Sequence, residues 1–417
     1  MATAFWKWAR NTRSSICEQG VTLEGCSLYS FAMASRCLPF LLVLCATLSI
    51  ALPDSPKSFD EIAKQAEAAR SADRIPDAIN LYTEGVRLRP QWSEGWWSLA
   101  TLLYDQDRFP EAKGAFQKLA AISPKPGVAY SFLGLCEYET RENDQALAHF
   151  RAWARAGWPG TRQSIDVSVF HFALLLTRDG EFVQSLYLLA TEAAKMGETP
   201  ASAEAMGLAS LRMRNIPEDY APESREMVWL AGQAAVYAAQ SSPEFGRADE
   251  YADRLAARYP EQPEVHLFRG TLFAVENRAS DAEREYRRAL QISPELVPAL
   301  LAMAEIDLDK NEIGEADTFA RKSIELAPKD PEAHHVLGRV LMTKNENAAS
   351  ATELEIARKL APDSALVHSH LAIVYSRLGR AQEAKAEAAT FLRLKNKEGV
   401  LAPPEERLKP GGTGKAK

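Results

Sequence analysis

The chain of 417 residues is poor in cysteine, and most of the cysteine it has lies near the N-terminus. Four of its five cysteines, Cys17, Cys26, Cys37 and Cys45, fall within the first fifty residues. The fifth, Cys136, has no partner for a disulfide, so the rest of the chain must fold without cross-links. Cys136 lies on an apolar stripe of a predicted helix. We predict a buried structural thiol there, because a nucleophile would need an adjacent base.

The sequence also lacks the motifs of common catalytic sites. It has no Gly-rich phosphate loop, no Gly-x-Ser-x-Gly turn and no Cys-x-x-Cys pair. We therefore predict that the chain is not an enzyme and that it needs no cofactor. Its 49 basic and 56 acidic residues give a formal net charge of −7. This balance argues against nucleic acid as a partner, because nucleic-acid binding requires a concentrated basic face.

Long apolar runs are scarce, and the one that stands out lies near the N-terminus. From Arg36 the chain reads RCLPFLLVLCATLSIALPDSP, which is one cation, an apolar stretch and then Ser49-Ile50-Ala51 as a small-x-small cleavage site. The apolar stretch is shorter than the ~20 residues of a membrane span. We predict an exported protein, periplasmic or extracellular. The alternative is an uncleaved anchor in the inner membrane, and the start of translation is Met1 or Met33.

Small residues recur along the chain with a period of 34 residues. Consecutive members are 34 residues apart, except for one gap of 102 residues, which is three periods. The aligned positions are Ala78, Ala112, Ala146, Ala248, Ala282, Ala316, Ser350 and Ala384. A fixed period of this length indicates one supersecondary unit stacked many times, because a single unit cannot bury its apolar face alone.

One repeat shows what each unit is. Apolar residues at i, i+3, i+4 and i+7 indicate a first helix, and they are Trp96, Leu99, Ala100 and Leu103. Pro110 suits the first turn of a second helix, and Pro124 ends that helix. The stripe of the second helix consists of Ala112, Phe116 and Leu119. Ala100 and Ala112 let the two helices approach closely, and Phe116 fills the space beyond them.

These residues resemble the tetratricopeptide repeat family, whose pattern is Trp, Leu, Gly, Tyr, Ala, Phe, Ala and Pro at repeat positions 4, 7, 8, 11, 20, 24, 27 and 32. The matches in the repeat just described are Trp96, Leu99, Ala100, Leu103, Ala112, Phe116, Leu119 and Pro124. The resemblance covers about residues 59–396. It implies an all-α fold, a right-handed superhelical solenoid of about ten helix-turn-helix repeats.

The repeat register divides the chain into five predicted segments. They are an N-terminal extension with a signal peptide or anchor (1–51), N-terminal repeats (52–160), degenerate repeats (161–228), C-terminal repeats (229–396) and a disordered tail (397–417). In the degenerate segment we predict one shifted helical pair, then a short helix carrying Met206 and Gly207, and then a loop. The tail is rich in proline, glycine and charge, as disordered segments are.

The resemblance also implies where a partner binds. In the family, positions 2, 5, 9, 12 and 13 of the first helix face a concave groove. In this chain the candidate residues at those positions are Trp97, Tyr104, Tyr138, Tyr237, His335, Arg339 and Arg377. Trp97 and Tyr104 are seven residues apart on one helix, so they share a face. We expect them to form, with Tyr138, an exposed aromatic contact surface.

The histidines raise the question of a metal site. His334 and His368 hold equivalent positions in adjacent repeats, and His335 and His370 lie nearby, so a zinc or nickel site is one interpretation. However, His266 holds the same repeat position with no histidine beside it. The presence of His266, His334 and His368 is explained if histidine, a polar aromatic residue, replaces the tryptophan that the repeat usually has at this position. We therefore predict no metal site.

Two classes of function fit these observations. The first is a non-catalytic scaffold that binds partner peptides or proteins in the concave groove, in the cell envelope or outside the cell. The second is an accessory subunit that recruits a separate envelope enzyme or a secretion or assembly machine. Contact with a membrane is expected only through the N-terminal segment, if that segment is uncleaved.

Overall fold

A computed structural model describes residues 58–196, 199–217, 219–240 and 243–401. The predicted signal peptide or anchor, and most of the predicted tail, lie outside these residues. Every regular element in the described ranges is helical. Among these helices, none is both long and apolar enough to cross a membrane. The predicted all-α fold of paired helices is confirmed, and the handedness of the stack stays a prediction.

The chain divides into two compact units between Gly95 and Trp96. The first unit contains α1 (Phe59–Ser71) and α2 (Ile75–Leu88), which form an antiparallel pair. The side chain of Ser58 caps α1 by accepting a hydrogen bond from the backbone N–H of Glu61. The apolar stripes of the two helices meet in a core of Ile62, Ala66, Ala69, Ala78, Ile79, Tyr82 and Val86.

The second unit continues the same arrangement. Its helices are α3 (Ser93–Asp105), whose first turn precedes the boundary, α4 (Phe109–Ile122), α5 (Gly127–Glu139), α6 (Asn143–Arg155), α7 (Arg162–Asp179), α8 (Phe182–Met196), α9 (Pro200–Ser210), α10 (Arg225–Ala239), α11 (Phe245–Arg258), α12 (Pro263–Val275), α13 (Ala279–Ile292), α14 (Val297–Asp309), α15 (Ile313–Leu326), α16 (Pro331–Thr343), α17 (Asn347–Leu360), α18 (Ala365–Arg377) and α19 (Ala381–Leu401). The helices form successive pairs with a sequence neighbour. Helix α9 packs against α10, which also forms a pair with α11, so α9 is the first helix of no pair of its own and stands as a single helix inside the stack.

Small residues at repeat position 8 set the spacing within each pair. A Cβ atom added to Gly134 would lie 2.8 Å from the ring of Phe150, and one added to Gly338 would lie 2.6 Å from the side chain of Leu354. The larger residue of the second helix therefore occupies the space that a side chain on the first helix would need. Cys136 is fully buried in the same core, and burial raises its pKa to about 12. The prediction of a buried thiol is confirmed.

The turn inside seven of the helix pairs has a common backbone conformation. One residue adopts a left-handed conformation at the fifteenth position of the repeat, where the first helix ends. The residues are Asp73, Asp107, Arg141, Asn277, Asn311, Asn345 and Gly379. Five of the seven are Asp or Asn, and one is Gly, the residue types that tolerate this conformation best.

The middle of the chain departs from this plan at α9. The short helix with Met206 and Gly207 is present as predicted, but irregular chain with one 3₁₀ turn (Pro222–Ser224) follows it instead of a second helix. Helix α9 packs against α10. The two helices approach so closely that Gly207 on α9 lies against the backbone of α10, and Gly232 on α10 lies against the backbone of α9. The degenerate segment thus contains one full pair, α7 and α8, and one single helix.

The C-terminal helix runs further than predicted. Helix α19 extends to Leu401, whereas we placed the start of a disordered tail at residue 397. The repeat position that holds a helix-ending proline in most repeats holds Asn396 here, and the next prolines in the sequence are Pro403 and Pro404. Without the proline, nothing in the sequence interrupts the helix at the end of the last repeat.

A candidate protein-binding face

The side chains at the family's groove positions join neighbouring repeats to each other. Residues 34 or 35 apart lie at the same height on adjacent first helices, so their side chains can touch. Arg339 forms an ion pair with Glu305 in the preceding repeat. Arg377 donates a hydrogen bond to the carbonyl oxygen of Met342 at 2.9 Å. Arg377 remains exposed, whereas Arg339 is half-buried.

The expectation that Trp97, Tyr104 and Tyr138 form an exposed cluster is wrong. Tyr104 and Tyr138 are buried, and Trp97 is half-buried. Trp97 and Tyr104 both contact the ring of Phe132 in the next repeat, with centroids 5.4 and 5.5 Å away. Tyr138 packs edge-on against His171 at 4.7 Å. Burial raises the pKa of Tyr104 well above its ordinary value. These rings fill the seams between repeats.

Tyr237 and His335 are also buried, Tyr237 against the second helix of its own pair and His335 against the next repeat. The ring of Tyr237 stacks on Tyr251, with centroids 5.7 Å apart, and Arg247 donates to the Tyr237 hydroxyl at 3.3 Å. His335 Nε2 lies 2.9 Å from Nδ1 of His370 in the next repeat. Burial, then the charges of His335 and of the nearby Arg339, lower the pKa of His370 to about 4. This pair links α16 to α18.

One face of α18 remains open. Leu366 is 62% exposed and Ile373 is 42% exposed, and the seven-residue spacing places them on one side of the helix. His370 and Arg377 lie on the same side. We call these four residues, Leu366, His370, Ile373 and Arg377, the α18 face. Leu366 and Ile373 occupy groove positions 2 and 9, but the sequence reasoning passed over them because it looked for aromatic and charged residues.

The comparisons with known proteins agree with this repeat geometry. The tetratricopeptide repeat model matches residues 63–127 and 99–161. The chain contains tetratricopeptide repeats. A second model, the middle TPR-like domain of cilia and flagella-associated protein 70, matches residues 239–395. The matched ranges leave residues 162–238, the part that holds the single helix α9.

Solved structures of MamA are similar to parts of the chain. "Crystal structure of MamA" is 17% identical with a TM-score of 0.34, and covers 37% of this chain and 91% of its own. MamA 41-end from Desulfovibrio magneticus RS-1 is 18% identical with a TM-score of 0.33, and covers 37% and 86%. Similarity at this level says nothing about function. No curated protein matches the sequence.

Of the histidines considered for a metal site, His334 and His368 are held apart, because each is hydrogen-bonded on both sides by other groups, an arrangement that we call a bracket. In three repeats a histidine bridges a glutamate nineteen residues later and a proline carbonyl six residues earlier. His266 Nδ1 lies 2.8 Å from Glu285 and its Nε2 lies 2.9 Å from the carbonyl oxygen of Pro260. The other two brackets are His334 with Glu353 and Pro328, and His368 with Glu387 and Pro362. Because both ring nitrogens are engaged, His334 and His368 do not meet.

The bracket at His266 is an ion pair. Both its nitrogens face oxygen acceptors, so both carry protons. The hydrogen bond to Glu285 raises the pKa of His266. Burial opposes ionisation of Glu285, but the bond from His266 and the charge of Arg269 outweigh burial and keep the pKa of Glu285 below its ordinary value. In the repeat that starts at residue 297, Leu300 and Phe319 hold the two places, so an apolar pair also fits.

The His266 bracket predicts a pH-dependent stability. A histidine whose pKa is raised by folding contributes stability below about pH 6.5, its unfolded pKa, and loses it as the pH rises through the folded pKa. The double variant His266→Leu with Glu285→Phe copies the pair at Leu300 and Phe319 and removes this contribution. Urea unfolding should show wild type losing free energy relative to the variant as the pH rises above about 6.5. A difference that stays constant above that pH would contradict the ion pair.

Proposed function

We propose that the chain is a non-catalytic scaffold that binds partner proteins or peptides along its first helices, with the α18 face as the main contact. The observation that supports this proposal most strongly is the exposure of Leu366 and Ile373 on a helix that lies within a rigid stack. Apolar side chains grouped on one face mark interaction sites more often than single exposed ones do. The repeats are present in the chain, and the proposal adds a partner that binds to them.

The charges around the α18 face suggest the kind of partner. Arg377 is exposed at one end of the face, and the only hydrogen bond we assign to its guanidinium is donated to the carbonyl oxygen of Met342. A guanidinium has five N–H donors, so Arg377 retains capacity for a carboxylate. A peptide with two apolar anchors and an acidic group beyond them fits this arrangement. The apolar anchors would supply most of the binding energy.

The N-terminal segment supports action in the cell envelope or outside the cell. Its apolar stretch and small-x-small site have the layout of a signal peptide. A scaffold that acts there meets its partners in envelope extracts, whereas a cytosolic scaffold meets them in cytosolic extracts. The same capture experiment therefore tests both the contact face and the compartment.

We expect the full chain to capture a protein from envelope extract, and the double variant Leu366→Asp with Ile373→Asp to lose it. Two buried apolar anchors are worth ~3 kcal/mol or more of binding, about a hundredfold in affinity. Leu392→Asp is the matched control, since Leu392 is also an exposed leucine, 58% accessible, but lies on α19 outside this face. Mass spectrometry of the captured proteins is the readout. Equal capture by the double variant, or capture only from cytosol, would contradict the proposal.

A further inference from the structure

Four repeats begin their second helix with an arginine that pairs with an acidic residue three positions later. Arg108 lies 2.6 Å from Glu111, and Arg278 lies 3.0 Å from Asp281. The same pair occurs as Arg74 with Asp77 and Arg380 with Glu383, and as Glu244 with Arg247 in reversed order. The pair joins the turn to the first turn of the helix. It also neutralises the carboxylate that lies there.

The repeat that contains α14 and α15 has no such pair. Glu312 stands where these four repeats have the arginine, and Glu315 occupies the acidic position three residues later. Two like charges three residues apart on a helix repel each other. Both side chains are exposed, and both lie near a third carboxylate from α14. This repeat therefore has an excess of negative charge at the place where the four repeats have a neutral pair.

The third carboxylate belongs to Asp307, which is fully buried. Neither of its oxygens has a hydrogen-bond partner among the residues that the structure describes, and a buried unpaired carboxylate is costly. Repeat position 11, which Asp307 occupies, is apolar in the repeats with Leu103 and Leu341. Glu137 is a second buried carboxylate at this position, and its oxygen lies 2.7 Å from Nδ1 of His149. Glu137 thus has a side-chain partner of the kind that Asp307 lacks in the described residues.

The nearest cationic side chains are already engaged with another carboxylate. Lys310 lies 2.6 Å from one oxygen of Glu283, and Arg287 lies 2.6 Å from the other. The turn before α15 is held by a 2.7 Å hydrogen bond from the backbone N–H of Glu312 to the carbonyl oxygen of Asp307. The three carboxylates are therefore held on a short, fixed turn rather than on a free loop.

The spacing of the three carboxylates fits a calcium-sized ion. One oxygen from each of Asp307, Glu312 and Glu315 lies within 4.8 Å of the other two. An ion that binds oxygen at ~2.3–2.6 Å fits within this limit, and calcium tolerates an irregular ligand set, whereas magnesium requires near-octahedral geometry and gives up its water reluctantly. Carboxylates are the ligands that both ions prefer, and the remaining coordination positions of calcium are commonly filled by water.

We propose that Asp307, Glu312 and Glu315 bind a divalent cation of the calcium class, which takes the place of the arginine in the four repeats that have one. The cation neutralises the buried carboxylate of Asp307 and joins the end of α14 to the start of α15. This site departs from the sequence prediction of no metal, which considered only the histidines. With three carboxylates, two of them exposed, we expect a dissociation constant of about 10⁻⁴–10⁻³ M, the range of extracellular calcium modules.

Calcium titration of the chelator-treated full chain by isothermal calorimetry tests this proposal. We expect one calcium ion per chain and a melting temperature that rises with calcium. Glu312→Arg, which restores the arginine–acid pair seen at Arg278, should abolish both responses while the protein stays folded. Glu346→Arg changes the equivalent position of the next repeat, so it should keep both.

Several results would overturn the proposal. They are no calcium binding by the wild type, unchanged binding by Glu312→Arg, or loss of binding by Glu346→Arg. Magnesium at the same concentration should raise the melting temperature less than calcium does, and an equal rise would contradict the calcium class. Asp307→Leu, which copies Leu103 and Leu341, should be more stable than the wild type without calcium and insensitive to it. A calcium response that persists in Asp307→Leu would place the ion elsewhere.

Discussion

Gly207→Ala and Gly232→Ala should each disrupt the middle of the second unit more than any other single-methyl change in the chain. Where α9 crosses α10, Gly207 on α9 faces the backbone of α10, and Gly232 on α10 faces the backbone of α9. A Cβ atom on Gly207 would approach the carbonyl oxygen of Val228, and one on Gly232 the carbonyl oxygen of Ala203, both well under 3.0 Å. The obstructing atoms are backbone atoms, so no side-chain rotation can relieve the clash.

The expected loss of unfolding free energy is therefore at the upper end of the range for overpacked cores. We expect each variant to lose ~3 kcal/mol or more of unfolding free energy, because α9 must move away from α10 to admit the methyl group. Gly114→Ala is the matched control, since nothing lies within 4 Å of its added Cβ on α4. That change should stabilise by ~0.5–1 kcal/mol through helix propensity. Urea unfolding followed by circular dichroism measures all three. A mild effect at Gly207 and Gly232 would show that the two helices are less closely packed.

The second large effect is expected at Phe132, whose ring contacts aromatic rings of the preceding repeat in the second unit. Its ring centroid lies 5.4 Å from Trp97, 5.5 Å from Tyr104 and 5.1 Å from Phe116. These rings come from α3 and α4, whereas Phe132 is on α5. A single side chain thus joins two repeats.

Phe132→Ala should cost ~3–5 kcal/mol, since it removes a large side chain and opens a cavity between repeats. Phe132→Leu keeps most of the volume and should cost about 1 kcal/mol. Thermal and urea unfolding of the two variants distinguish packing from surface exposure. If Phe132→Ala melted like the wild type, the rings at Trp97 and Tyr104 would be surface groups, as the sequence first suggested, rather than a seam between repeats.

The periodicity of the sequence was sufficient to predict the helices. A small residue every 34 positions places two close-packed helices in each repeat, and the structure contains them with their boundaries near the expected prolines. The exception at α9 has a local cause. The chain there is too short for a second helix, and Pro217 and Pro222 interrupt it. Tight packing of α9 on α10 depends on two glycines that no repeat pattern predicts.

The site was harder to predict because a period describes positions and not exposure. Tyr104 and Tyr138 occupy groove positions, yet a large ring at those positions reaches the next first helix and becomes buried. Aliphatic side chains at other groove positions, such as Leu366 and Ile373, stay exposed on α18. Helix α18 is the first helix of the last repeat, so no later first helix covers it in the described residues. The His–Glu brackets are visible in the sequence only as a correlated substitution. Three repeats have histidine at one position and glutamate nineteen residues later, where another repeat has an apolar residue at both positions.

Photo-crosslinking from the α18 face tests the central claim most directly, namely that a partner protein binds there. A photoreactive amino acid is placed at Ile373, at Leu366 or at the control Leu392 in the full chain, and each protein is irradiated in envelope extract. We predict a crosslinked partner of one size from Ile373 and Leu366 and none from Leu392. Equal crosslinks from all three positions, or none from Ile373, would contradict the account.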